Sequence, residues 1–344
     1  YQRIFQGQSA DMDCGMIDVI WPGAFAPHLE DLSSAFPDAA DVFYETVVEN
    51  NTIDGKLVAI PWFGDFGILF YRTDLQEKYG FDGPPATWQE LQEQAMTIME
   101  GEQGEGNAEF QGFVFQGNAY EGLTTNALEW LASNGAGTIV EEGEVTLNND
   151  TAIEVLNLAQ SWVGTISPEG VTTYQEEDAR NVFQGGNAAF MRNWPYAYSA
   201  GKAEDSPIAD TLEVAPLPAA EGQDAVGTVG GWQLAVNTYS ENKEAAIEFV
   251  RYMSSPEMQK WRAIHYSFVP NIPSVAEDSD VLEAMPFLAT AGEAVRVTRP
   301  SRETGELYNE FSTIFFQGTN AILNGTDAAD EVPNMAEDIE DLIA

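Results

Sequence analysis

Short β-prone runs closed by turn residues alternate along this chain with longer stretches of helical periodicity, and no low-complexity linker interrupts them. This alternation predicts an α/β protein with mainly parallel sheets, because a parallel strand pair needs a crossover long enough to hold a helix. Residues 16–21 form an apolar run ended by Pro22-Gly23, the pattern of a buried strand entering a loop. Residues 56–61 follow the turn signal Asp54-Gly55, and 67–71 are a second β-prone run. Thr87-Trp88-Gln89-Glu90 reads as a capping box opening a helix that continues through Met99, with the Gly- and Glu-rich stretch 101–106 expected as a solvated loop. Asn149 caps an amphipathic helix bearing Ile153, Leu156, Leu158 and Trp162. Residues 175–183 predict a helix broken at Gly185-Gly186, 188–191 a strand, and 227–236 a glycine-punctuated strand. Helices follow over 241–253, from Pro256, and from Tyr308 onward, where the chain is strongly acidic.

At 344 residues the chain exceeds the ~250 at which single cores stop growing, so two domains are expected. Two cores without a linker imply a chain that crosses between domains more than once. No period of about 20 to 50 residues is present, which excludes solenoids and propellers. Hydrophobic residues make up 44% of the chain, with 19 Phe, 8 Trp and 12 Tyr, enough to build cores despite a net charge of −42. That charge repels phosphate backbones and anionic lipid, and the 14 Lys and Arg form no basic stripe, so nucleic-acid binding is excluded. Only five of the basic residues are lysines and the acids are spread evenly, the composition expected of a surface adapted to high salt, with an acidic mesophilic secreted protein as the alternative. Cys14 is the single cysteine and makes no intramolecular disulfide. No apolar run approaches the ~18 residues of a membrane span. The chain begins at Tyr1 in what reads as the middle of a helix, and a preceding segment with the first strand and an export signal is expected.

Five motifs carry chemistry. Asp18 and Trp21 sit where a strand runs into a loop, the end of an α/β sheet at which ligands bind. A carboxylate there accepts two sugar hydroxyls and an indole covers a pyranose face, although a turn-holding Asp and a core-capping Trp account for the same residues. Trp62-Phe63-Gly64-Asp65-Phe66 surrounds one acid with three aromatics between Pro61 and Gly67, a better binding loop than strand. Arg192-Asn193-Trp194-Pro195-Tyr196 and Gly230-Gly231-Trp232 each place a Trp at a strand end, and each alone also suits a buried structural Trp. Arg296, Arg299 and Arg302 gather three of nine arginines in seven residues, fit for a hydroxyl-bridging fork or for a surface ion-pair cluster.

No P-loop, Rossmann G-x-G-x-x-G or G-x-S-x-G elbow is present. Two histidines and one cysteine leave no zinc or Cys–His site, so no metal, cofactor or catalytic residue is expected. Paired carboxylates for glycoside hydrolysis are not removed by counting among 56 acids, which leaves a glycoside hydrolase as the alternative, beside a binder of another polar solute.

The segments Ile17-Asp-Val-Ile-Trp-Pro-Gly23, Leu57-Val-Ala-Ile-Pro-Trp-Phe-Gly-Asp-Phe-Gly-Ile-Leu-Phe-Tyr-Arg72, Pro85-Ala-Thr-Trp-Gln-Glu-Leu91, Phe183-Gln-Gly-Gly-Asn-Ala-Ala-Phe-Met-Arg-Asn-Trp194 and Gly230-Gly-Trp232 occur in that order along most of the chain. Together they resemble the family 1 extracellular solute-binding proteins of ABC importers, and within them the trehalose/maltose-binding branch. The resemblance implies a two-lobed periplasmic-binding-protein-like fold of the class II type, closing by a hinge on a sugar that is then handed to membrane permease subunits. By that pattern the crossings fall near 65–67, 231–234 and 288–296, giving one lobe from 1–66 plus 234–295 and another from 67–233 plus 296–344. It implies sugar ligands at Asp18, Phe63, Asp65, Trp194, Gly231, Trp232 and Arg299, the last preceding Pro300 in an Arg-Pro pattern, with Arg302 as its alternative. Tyr120 and Tyr308 match stacking aromatics, and Trp21 stands beside Asp18 in the first motif. Two departures stand out: Gln6-Gly7-Gln8-Ser9 where the branch often has an Arg, and Phe63 where it has a Tyr. The implied protein is an extracellular, lipid-anchored monomer with no enzymatic activity.

Overall fold

A computed structural model describes residues 1–289 and 294–344. By contact the chain divides into two compact units, the first of residues 1–65 and 230–286 and the second of 66–229 and 287–344. The crossing expected over 288–296 includes residues 290–293, which lie outside the described residues.

The strands in chain order are β1 (Cys14–Asp18), β2 (Thr52–Ile53), β3 (Lys56–Leu57), β4 (Ile60–Phe66), β5 (Ile68–Arg72) and β6 (Gln111–Val114). They continue with β7 (Val140–Glu141), β8 (Glu144–Val145), β9 (Ala188–Asn193), β10 (Leu212–Ala215), β11 (Val226–Val236) and β12 (Val295–Val297). In the first unit β1 runs antiparallel to the later half of β11, with Cys14 opposite Val236 and Asp18 opposite Trp232. β4 also pairs with β11, so residues 62–66, expected as a binding loop, are strand; Gly231, where a Cβ would meet Gly64, lets the two backbones lie together. The strand near residue 16 starts two residues earlier than its apolar run, and only Ile17 of it is buried, joining Phe5, Phe25, Val58 and Ala235 in a core. Met16 points to the other face and is exposed, as strand alternation requires. The Asp54-Gly55 signal closes the β2–β3 hairpin, both residues taking positive φ (51° and 77°).

The second unit holds a four-stranded sheet in the order β10-β5-β9-β6. β6 is parallel to β9, and β5 is antiparallel to both of its neighbours. Three of its strands therefore share a direction and β5 alone opposes them, a mixed ladder where sequence alternation predicts a mainly parallel one. β5 continues from β4 through Gly67 alone, so its direction is set by the incoming chain and not by a helical return. Its core is aromatic: Trp88, Trp130 and Trp162 are fully buried with Phe113 and Phe115.

The Thr87 box is formed, Thr87 Oγ1 accepting from Glu90 N and the Glu90 side chain accepting from Thr87 N. That helix runs on to Gly104, past the loop expected from 101. Gly101 meets the Tyr79 ring so closely that a Cβ would lie 2.2 Å from it, so this glycine serves close packing and does not break the helix. Helix Asp150–Trp162, capped by Asn149, packs with Glu121–Ser133, Tyr308–Leu323 and Ala328–Ile343, and Tyr308–Leu323 also covers Glu121–Ser133.

Candidate functional site

The sequence candidates fall into two sets, one on each unit. On the first unit, β1 delivers Asp18 opposite Trp232, and a turn follows in which Asp18 O accepts Trp21 N (2.9 Å) and Asp18 Oδ1 accepts Ile20 N (3.3 Å). The Trp21 indole stands edge-on to Trp232, with ring centres 6.2 Å apart at 85°, and packs against Tyr1 and Phe25. Its Nε1–H is buried without an acceptor among the described residues. Trp21 is thus partly a core-capping residue, yet one that supports the half-buried Trp232. Gly231 adopts φ +114°, and a Cβ there would lie 2.5 Å from Phe63 O, so glycine is what lets β11 lie against β4. Phe63 is buried and stacks on Phe268 at 4.2 Å, which makes it a wall and not an open face. Asp65, two residues along the same strand face, is half-buried.

On the second unit the candidates hang on two carboxylates that sequence reasoning missed. Tyr120 donates its hydroxyl to Glu176 Oε2 (2.6 Å), and Trp194 donates Nε1 to Glu176 Oε1 (3.3 Å). Glu176 opens the helix Glu176–Gln184, whose start is capped by Gln175 and Asp178. Burial, reinforced by the Glu176 charge, holds the Tyr120 hydroxyl far above the ordinary phenol range. Arg299, Tyr308 and Ser312 all donate to Glu121, Arg299 Nη1 at 2.7 Å, the Tyr308 hydroxyl at 2.5 Å and Ser312 Oγ at 2.6 Å. Glu121 sits in the first turn of its helix, where the helix dipole also favours an anion. Because Tyr120 and Glu121 are consecutive, one helix start gathers Tyr120, Trp194, Arg299 and Tyr308. Arg302 lies in the short helix Ser301–Thr304 with an exposed side chain and does not join them.

Behind Trp194 lies a buried ion pair. Arg192 Nε and Nη2 form a fork onto Glu129 Oε2 and Oε1 (2.8 and 2.5 Å), and the guanidinium carbon is 4.0 Å from the Trp194 ring centre. Burial pushes the Glu129 carboxyl up while Arg192 opposes that shift. Arg296 packs over Phe66 at 3.9 Å, and burial pulls its guanidinium down to about 10, so it remains charged at neutral pH.

Acids, an arginine and half-buried indoles can bind a polyhydroxylated ligand, by hydrogen bonds from its hydroxyls and by stacking on its C–H faces. Among the described residues no group of three or more His, Cys, Asp or Glu is placed to hold a metal ion. Nor is any described helix long and apolar enough to cross a membrane.

Residues 3–260 match the family described as bacterial extracellular solute-binding protein. A Deinococcus radiodurans protein named as a probable ABC transporter-binding protein is 48% identical over 328 residues, covering 94% of this chain and 78% of its own length. The maltose-bound MalE3 of T. maritima aligns with a TM-score of 0.92 at 38% identity, over 99% of this chain and 87% of its own. The GacH receptor of Streptomyces glaucescens, solved unliganded and with acarbose, aligns with a TM-score of 0.85 at 25% identity, over 100% and 86%. The chain belongs to the bacterial extracellular solute-binding protein family, and it is a binding protein and not a glycoside hydrolase or any other enzyme.

Proposed function

We propose that this protein binds a disaccharide of the maltose or trehalose class and delivers it to the permease of an ABC importer. The observation that carries the reading is a pair of half-buried indoles beside carboxylates: Trp232, which lies within β11 and not at the strand end expected from sequence, opposite Asp18 at the end of β1, and Trp194, just past β9 and held by Glu176. Likeness to a maltose-bound protein at 38% identity supports the same sugar class. In this reading Asp18 and Asp65 accept sugar hydroxyls, Trp194 and Trp232 stack on pyranose faces, and Arg299, held by Glu121, donates its fork. Phe63 and Gly231 shape the wall, Trp21 backs Trp232, and Tyr120 and Tyr308 order the second set. The proposal includes two lobes, 1–66 plus 234–295 and 67–233 plus 296–344, that close on the sugar. It also includes a monomer held outside the cell by a lipid anchor.

Calorimetric titration of maltose, trehalose, sucrose and mannitol in molar KCl tests the reading. A disaccharide is expected to release heat, and Asp18→Ala or Asp65→Ala is expected to weaken its binding by about 1–3 kcal/mol each. Absence of heat with all three disaccharides overturns it, and heat with mannitol alone moves the assignment to a polyol.

A further inference from the structure

Trp194 is fixed from two sides: Glu176 takes its Nε1, and the Arg192 guanidinium covers one face of its ring. Arg192 is 1% exposed and its partner Glu129 is fully buried. Gln116 completes the enclosure, accepting Arg192 Nη1 (3.1 Å) and donating Nε2 to Arg192 O (3.0 Å). The carboxylate that orients Arg192 also grips the chain where it enters and leaves the second unit. Glu129 Oε1 accepts the Thr228 backbone N–H at 3.1 Å, and a Cβ on Gly67 would stand 1.8 Å from the same oxygen. Gly67 N in turn donates to Thr228 O at 3.3 Å. Gly67 is the second residue of the unit after one crossing, and Thr228 the last but one before the next.

A buried ion pair is poor evidence of stabilisation, since apolar side chains of similar volume do as well. What apolar residues do not supply is a fork that sets the plane of a flat cation, and here that plane backs an indole. We propose that Glu129, acting through Arg192, is the positioning residue of the Trp194 platform and ties it to the chain crossings at Gly67 and Thr228. One indole face is taken by the cation, so Trp194 presents only the other and stacks on a single sugar ring. The inference rests on reading Trp194 as a sugar-stacking residue.

The test is 19F NMR of the protein labelled with 5-fluorotryptophan, the Trp194 signal being the one lost in Trp194→Phe. In sugar-free Glu129→Gln the Trp194 signal is expected to shift and broaden while those of the core residues Trp88 and Trp162 stay in place, and maltose affinity is expected to fall at least tenfold. Arg192→Lys, which keeps the charge and loses the fork, is expected to move the same signal. Should Glu129→Gln not fold, the double variant Glu129→Gln with Arg192→Met removes both buried charges together and is read in the same way. An unmoved Trp194 signal overturns the proposal. So does movement of all tryptophan signals together, or failure of both variants to fold, since either assigns the pair to general core packing. The sugar-free spectra judge the positioning role without a ligand, whereas absence of maltose binding by the unaltered protein bears on the proposed function alone.

Discussion

Tyr120 couples a hydroxyl to a carboxylate, and that makes it sensitive to alkali. Its folded-state pKa lies above the ~10 of a free phenol, so the folded form holds the proton more tightly than the unfolded one. The associated stability is fully present below pH ~10 and is lost as pH rises toward the folded value. Tyr120→Phe is expected to cost about 1 kcal/mol at neutral pH through the lost Glu176 bond and to flatten the alkaline limb of a pH–stability curve. Denaturant unfolding followed from pH 8 to 11 checks both effects, and an unchanged alkaline limb refutes the second. At this scale the aromatics of the candidate sets stand out in the sequence more readily than the acids that hold them. Glu121, Glu129 and Glu176 look like any of 56 acidic residues until the fold brings partners to them, 178 positions away for Arg299, 63 for Arg192 and 56 for Tyr120. The one local hint was position: Glu121 and Glu176 each open a helix, but a first-turn acid is common enough to go unnoticed.

Elements were legible where the chemistry that makes them is local. The Thr87 capping box, the Asp54-Gly55 turn and the Asn149 cap rest on contacts within four residues, and each formed as read, although the run expected over 56–61 is split between β3 and β4. Thr87→Ala is expected to lower stability by about 1 kcal/mol, seen as a shift of the urea midpoint with an unchanged slope. An equal loss in Thr87→Ser, which keeps the hydroxyl, speaks against capping as the cause. Where an element depends on a distant neighbour, local reading failed. Gly101 looked like a helix breaker because Tyr79, which accounts for it, arrives from another helix. The direction of β5 was hidden for a similar reason: alternation counts strands and helices but does not record that β4 passes straight into β5.

For the molecule as a whole, charge dominates. Four of the five lysines lie within ion-pair distance of acids, yet 14 cations leave most of 56 acids facing one another. Their repulsion extends over a Debye length of ~30 Å at 0.01 M salt and ~3 Å at 1 M. The melting temperature is expected to rise steeply with KCl across that range and far less with sucrose of matched osmolality. A melting temperature indifferent to salt removes the high-salt reading of the composition.

Each unit is assembled from two separated stretches of chain, and that arrangement sets a timetable. β1 finds its partner only when residues 232–236 of β11 exist, and the helices Glu121–Ser133 and Asp150–Trp162 wait for Tyr308–Leu323 to cover them. At a synthesis rate of ~5–20 residues per second, β1 stays unpaired for roughly 10–40 s. Neither unit is complete until its second stretch has been made, 230–286 for the first and 287–344 for the second, so the last native contacts of each wait for the late part of the chain.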